Sequence, residues 1–235
     1  RARKSQVAVL PSAEGYLETC GELMDCRVMD LWYASAARAL VSRTDSDYLA
    51  VADFDMNGKA TLTEITERSN LRGSPVVSAA VRADGMILLG VPGFGGGPTP
   101  GGSAVSLLLT PLSGGGYSSV MQPSVAPTGA MSRVGLGVAA GNVTGLTTGD
   151  FVVVGDSSVQ VVGGDGKTEV AGTGTACPSL QFGGLTTEYY PFRPVAVGDL
   201  LVGGNDEIVL GGNGKVTFVQ WDGTLLLPCP KHFLT

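Results

Sequence analysis

Short apolar runs recur along this chain, cut by Gly, Pro, Asn or Asp. They are Gln6–Leu10, Val76–Val81, Met86–Val91, Ala104–Leu109, Phe151–Val154, Val159–Val162, Val195–Val202, Glu207–Leu210, Lys215–Trp221 and Thr224–Leu227. Runs of this length between turn residues predict the strands of a barrel, a sandwich or a propeller. Asp165-Gly166 and Asn213-Gly214 predict hairpin turns, because both pairs tolerate positive φ. Asp30–Arg43 differs: Ala34, Ala36, Ala37, Arg38, Ala39 and Leu40 carry helix propensity. A short helix near 30–43 and an outer strand are both open there. Gly93–Gly102 is low in complexity and predicts a long loop between two strands. It is no phosphate cradle, since no Lys follows at a helix start.

The runs belong to a repeat. Gly137–Gly155 and Pro194–Gly212 both read as an apolar strand, Gly with Asn or Asp, a Gly-rich turn, an acidic residue, a second apolar strand and Gly. Asn142 and Asp199 are equivalent, which sets a period of 57 residues. Tyr48–Gly58 keeps the apolar run and the acidic turn, and Ser78–Gly90 keeps two strands around a shortened turn. A fixed period of this size means stacked copies of one unit.

The pattern of an apolar strand, Gly-Asp, a Gly-rich turn, an acid and a second strand resembles the FG-GAP/VCBS repeats of β-propellers, found in integrin α-chain heads and many bacterial surface proteins. Val195–Gly212 matches well, Val138–Gly155 fairly, and the other two in part. The resemblance implies an all-β, propeller-like array of four-stranded repeats, with about four or five blades in this chain. It implies one domain over residues 1–235, with repeats near 48–68, 76–110, 134–163 and 194–221. Residues 1–47 would be an N-terminal extension or an atypical blade. Seven blades of this length would need more chain than 235 residues, so a small closed propeller, an unusual closure or completion by another chain is expected.

Composition narrows the class. Gly makes up 36 of 235 residues, charged residues are 15% and hydrophobic ones 43%, which suits many tight turns and an ordered core. No apolar run reaches the length of a membrane span. The net charge of −6 disfavours nucleic acid, whose affinity comes from Lys and Arg. The basic start Arg1-Ala-Arg-Lys4 reads more readily as a frayed or processed terminus than as a binding arm. Four cysteines, Cys20, Cys26, Cys177 and Cys229, and the sequon Asn142-Val-Thr144 suit a secreted, cell-surface or periplasmic protein. The simplest of three pairings joins Cys20 to Cys26 and Cys177 to Cys229. Zinc is disfavoured, because no C-x-x-C exists and His232 is the only His.

Asp53–Glu64 carries the sharpest candidate site. Asp53, Asp55 and Asn57 occupy alternate positions, Gly58 permits a turn, Lys59 offers a carbonyl and Glu64 stands where an EF-hand closes. Calcium is the cation such oxygens take. Ala60 replaces the usual large aliphatic residue, and the preceding Leu49–Ala52 aligns with the strands before the other repeats. The propeller repeats carry a similar loop, with a ligand at its ninth position, here Thr61. A propeller-type calcium loop, a metal-free acidic turn and an EF-hand are all open. The turns Asn142–Gly145 and Asp199–Gly203 hold too few carboxylates for a cation and are expected to rest on backbone hydrogen bonds alone.

No residue is assigned to catalysis. Val154–Ser158 superficially resembles the nucleophile block of GDSL hydrolases but lies inside a repeat. Trp32 and Trp221 read as packing aromatics before sugar platforms. The expectation is an extracytoplasmic binding or scaffolding module that contacts a protein or glycan and is stabilised by one calcium turn. The alternatives are a propeller-fold polysaccharide-active enzyme and a structural subunit of a larger surface or membrane-associated assembly.

Overall fold

A computed structural model describes residues 26–33, 37–43, 48–65, 76, 78–91, 105–123, 137–145, 149–154, 159–163, 169–172, 195–201, 204–212, 215–221 and 226–228. Every regular element among them is a β-strand. Alternating, β-branched-rich segments bounded by Gly and Asp favour that outcome. The strands form four antiparallel sheets, each a four-strand meander in chain order. The first holds β1 (Cys26–Tyr33), β2 (Ala37–Arg43), β3 (Leu49–Phe54) and β4 (Ala60–Glu64). The second holds β5 (Ser78–Val81), β6 (Ile87–Val91), β7 (Val105–Pro111) and β8 (Tyr117–Pro123). The third holds β9 (Gly137–Gly141), β10 (Asp150–Val154), β11 (Val159–Val162) and β12 (Glu169–Gly172). The fourth holds β13 (Val195–Gly198), β14 (Glu207–Gly212), β15 (Lys215–Trp221) and β16 (Leu226–Pro228).

The expectation of a short helix near 30–43 is overturned. Its described residues lie in the antiparallel strands β1 and β2, with Asp30 opposite Leu40 and Trp32 opposite Arg38. Alanine-rich helix propensity is worth only tenths of a kcal/mol per residue. As an inner strand, β2 instead buries Ala39, Leu40 and Val41 completely, and burial outweighs propensity. Pairing also joins both strands to the sheet that contains Leu49–Glu64. Leu49–Phe54 is therefore the third strand of its sheet, whereas the similar segments Gly137–Gly141 and Val195–Gly198 are first strands.

Each pair of successive sheets encloses an aliphatic layer. Leu40, Leu49 and Val51 meet Ile87, Leu89, Leu107 and Leu109 between the first two. Leu88 and Leu108 meet Phe151 and Val153 between the second and third. Val152, Val154 and Val161 meet Ile208, Leu210 and Val219 between the third and fourth. Period-two alternation sends neighbouring residues of one strand to opposite layers. A sheet buried on both faces thus loses the alternation, as in the wholly buried β10. The first strands β1, β5, β9 and β13 pack side by side in that order. All four line one cavity of about 590 Å³. No sheet closes on itself, and no extensive packing joins β13 back to β1 among the described residues.

Candidate functional site

The Asp53–Glu64 segment folds as the β3–β4 hairpin, with Phe54 opposite Ala60. Asp55 organises its turn. Its Oδ1 accepts the amides of Asn57 at 2.9 Å and Lys59 at 2.8 Å. Its own N–H donates to the Lys59 carbonyl at 3.0 Å, and Gly58 N–H donates to the Asp55 carbonyl at 3.0 Å. Gly58 has φ 80°, a conformation that side chains other than Gly resist.

Asp53 lies back in the strand, opposite Thr61 and Arg38. Arg38 Nε donates to its Oδ1 at 2.5 Å. Glu64 pairs with Ala50, three rungs from the Asp53–Thr61 pair. That is about 10 Å along the strand and on the opposite face of the sheet. The hairpin thus gathers Asp53, Asp55, Asn57, Lys59 and Thr61 at one end and holds Glu64 apart. Among the described residues, no three His, Cys, Asp or Glu side chains form a group that could hold a metal.

The loops between first and second strands are closed by carboxylates rather than by backbone alone, which corrects the expectation for them. Asp150 opens β10, is fully buried, and takes the Thr144 amide at 2.8 Å and the Thr144 hydroxyl at 2.9 Å. Glu207 opens β14 one period later and takes the amides of Leu200 at 2.9 Å and Leu201 at 3.0 Å. Gln220 Nε2 donates to its other oxygen at 3.0 Å. Burial pushes the Glu207 carboxyl up, but these donors together outweigh it and hold it below the usual range. These hydrogen bonds end the strand at Gly198 rather than at Val202.

Polar bolts cross the sheet junctions near the same loops. Asp30 Oδ2 accepts the Val81 amide at 2.6 Å between the first and second sheets. Arg82, only 3% exposed, pairs with Asp84 at 2.5 Å. It also donates to the Gly149 carbonyl at 3.3 Å and stacks over Phe151 at 5.2 Å. Burial raises the Asp84 carboxyl, yet Arg82 and the Met86 amide prevail and hold it low. Asn142 N–H donates to Asp206 Oδ2 at 2.7 Å, and Asp206 N–H returns to the Asn142 carbonyl at 2.8 Å. The sequon is therefore part of a junction: Asn142 Oδ1 is buried, and Thr144 Oγ1 is spent on Asp150.

The junctions also fix which loops share an end of the array. In a meander, the first-to-second and third-to-fourth loops lie at one end of the sheet. Among the described residues, four of the five exposed large apolar ones sit in such loops. Met56 tops the β3–β4 turn, Leu112 the β7–β8 turn, and Leu200 and Leu201 the β13–β14 loop. Leu112 is held by its amide to Gly116 O at 3.1 Å and by its carbonyl from Gly115 N–H at 3.0 Å. Trp221 instead packs against the layer between the third and fourth sheets.

No family model matches this chain, and no curated protein matches it.

Cys20, Cys177, Cys229, Gly93–Gly102 and both Asp-Gly and Asn-Gly turns lie outside the described residues. Cys26 starts β1, and its pairing lies outside them too. Sequence reasoning missed Arg82, Asp206 and the turn-closing role of Asp150 and Glu207. The equal spacing of those last two acids was the available signal.

Proposed function

We propose that the chain is a propeller-like array of four-stranded blades serving as an extracytoplasmic binding or scaffolding module. It resembles the FG-GAP/VCBS class and contacts a protein or glycan ligand through the loop-bearing end of its sheets. One observation carries this reading: Met56, Leu112 and Leu201 stand exposed at that end on turns already closed by hydrogen bonds. Apolar side chains on a rigid turn bind without the cost of ordering the loop. A calcium ion at Asp53, Asp55, Asn57, Lys59 and Thr61 would stiffen one of these turns.

A glycan array and a surface-display protein screen against the purified chain test the reading. A ligand should emerge, and Met56→Ser/Leu112→Ser/Leu201→Ser should abolish its binding with the fold intact by circular dichroism. Binding unaffected by that triple substitution would overturn the assignment of this end. Depolymerisation of a bound polysaccharide would select the enzyme alternative. Secretion is tested by intact mass: a loss of four thiols' worth of alkylation in the native protein fits the Cys20–Cys26 and Cys177–Cys229 bridges.

A further inference from the structure

Leu200 has a different explanation from the other exposed apolar residues. The 57-residue period equates each position of the fourth sheet with one of the third. Val143, the equivalent of Leu200, is 0% exposed and sits in the layer with Ile208, Leu210 and Val219 of the following sheet. Leu200 itself is 54% exposed. Gly141 is the equivalent of Gly198. A Cβ on Gly141 would stand 2.2 Å from Val197 Cγ1 and 2.8 Å from Asp206 Oδ2, whereas one on Gly198 would meet nothing within 4 Å. Asn142 exchanges two hydrogen bonds with Asp206 of the next sheet, while its equivalent Asp199 is exposed. Across the strands, Val152 and Val161 are wholly buried; their equivalents Val209 and Phe218 are only half-buried.

These contrasts come from one face. The fourth sheet repeats the apolar residues, the small residue and the loop that the third sheet uses to receive its neighbour. The same loops meet at the preceding junction, where Arg82 reaches Gly149, the equivalent of Asp206. What covers such a face is thus visible twice: the opposite face of a four-stranded sheet, aliphatic along its first two strands.

We propose that the outer face of the fourth sheet is a docking face for one further antiparallel sheet of this repeat type. The mating face presents β-branched or aliphatic residues at the positions of Val197, Ile208 and Leu210. Its residue before the second strand meets Asp199. Gly198 lets its first strand approach as closely as Val197 approaches Gly141. The inference rests on the blade-array reading but uses none of the three side chains assigned to ligand binding, although Leu200 shares the β13–β14 loop with Leu201.

The chain's own fourth sheet is the probe. One period, residues 172–228, is inserted a second time after residue 228 of the full chain. The added sheet should dock, resist protease and raise the melting temperature. Gly198→Val and Leu200→Asp in the first copy should each leave the parent chain's melting temperature unchanged and remove the gain in the extended chain. An added period that stays protease-sensitive, or a gain indifferent to both substitutions, would overturn the proposal. Analytical ultracentrifugation of the parent chain supplies the other arm. Self-association abolished by the same two substitutions would assign the face to a second copy and overturn the further-sheet assignment. Failure of the ligand reading would show only in Met56, Leu112 and Leu201, which this assay leaves untouched.

Discussion

Gly141 and Gly198 occupy the same place in two repeats, yet alanine should destabilise at the first and be tolerated at the second. Neither has positive φ, so the backbone accepts a side chain at both. At Gly141 the new methyl would overlap Val197 Cγ1 at 2.2 Å and Val197 Cβ at 2.9 Å. Asp206 Oδ2, at 2.8 Å, blocks the other side and is tied to Asn142 N–H. Val197 is a short, branched side chain on a paired strand, so it cannot swing clear as a long chain would. Relief requires the third and fourth sheets to part, loosening the Asn142–Asp206 bonds and the layer around Val152 and Ile208. Overpacking of this kind costs about 2 kcal/mol. With a urea dependence of about 3 kcal/mol per molar for a chain of this size, the midpoint should fall by roughly 0.7 M. Gly198→Ala should stay within about 0.5 kcal/mol of wild type. Urea titrations followed by circular dichroism and tryptophan emission measure both, and Trp221 reports on the affected layer. Val197→Ala added to Gly141→Ala should recover part of the loss, beyond what separate effects predict. Equal midpoints for the two alanine variants would refute the close-packed junction and the repeat equivalence drawn from it.

Three further outcomes are expected. Glu207→Ala should cost roughly 2 kcal/mol, since it removes a charged acceptor from two amides and Gln220. The Glu207 and Asp84 carboxyls are both held low in the folded state. Their stabilisation should therefore be complete above the ordinary carboxylate pKa of about 4 and fade as pH falls through their lower folded values. Melting curves from pH 6 to 2 should show a shallower acid limb for Glu207→Gln. Arg82→Met should lose roughly 2 kcal/mol or more by leaving the Gly149 carbonyl without its donor. Arg82→Lys should not restore it, because a lone ammonium cannot span Asp84, Gly149 and Phe151 together; equilibrium unfolding compares the pair. Asp55→Ala should lower stability by about 1 kcal/mol in EDTA, the worth of two turn caps. Millimolar calcium should raise the wild-type melting temperature, Asp55→Ala should lose that response and Glu64→Gln should keep it.

Much of the strand content was legible as apolar runs between glycines. Val76–Val81, Met86–Val91, Phe151–Val154, Val159–Val162 and Lys215–Trp221 match strands to within one or two residues at an end. Tyr117–Pro123 and Glu169–Gly172 are the outermost strands of their sheets. Few aliphatic residues leave such strands a weak signal. Ala37–Arg43 misled because Ala favours a helix locally, whereas the pairing partners that make it a strand stand elsewhere in the chain. The candidate site divided in the same way. The alternating Asp53, Asp55 and Asn57 marked a tight turn correctly, since that turn is closed by contacts four residues apart. The place of Glu64 depended on strand pairing, which turned it to the other face.

Sequence alone determined the all-β class, the repeated unit and the positions of most strands. These follow from local chemistry: period-two burial, β-branched side chains and residues that accept positive φ. The tertiary structure decided the phase of the first sheet, the order of first strands around one cavity and the roles of Arg82, Asp206 and Glu207. It also separated Gly141 from Gly198 and Val143 from Leu200, which the repeat makes equivalent. Those distinctions depend on whether another sheet lies within a few ångströms, a property of packing that no single segment of chain encodes.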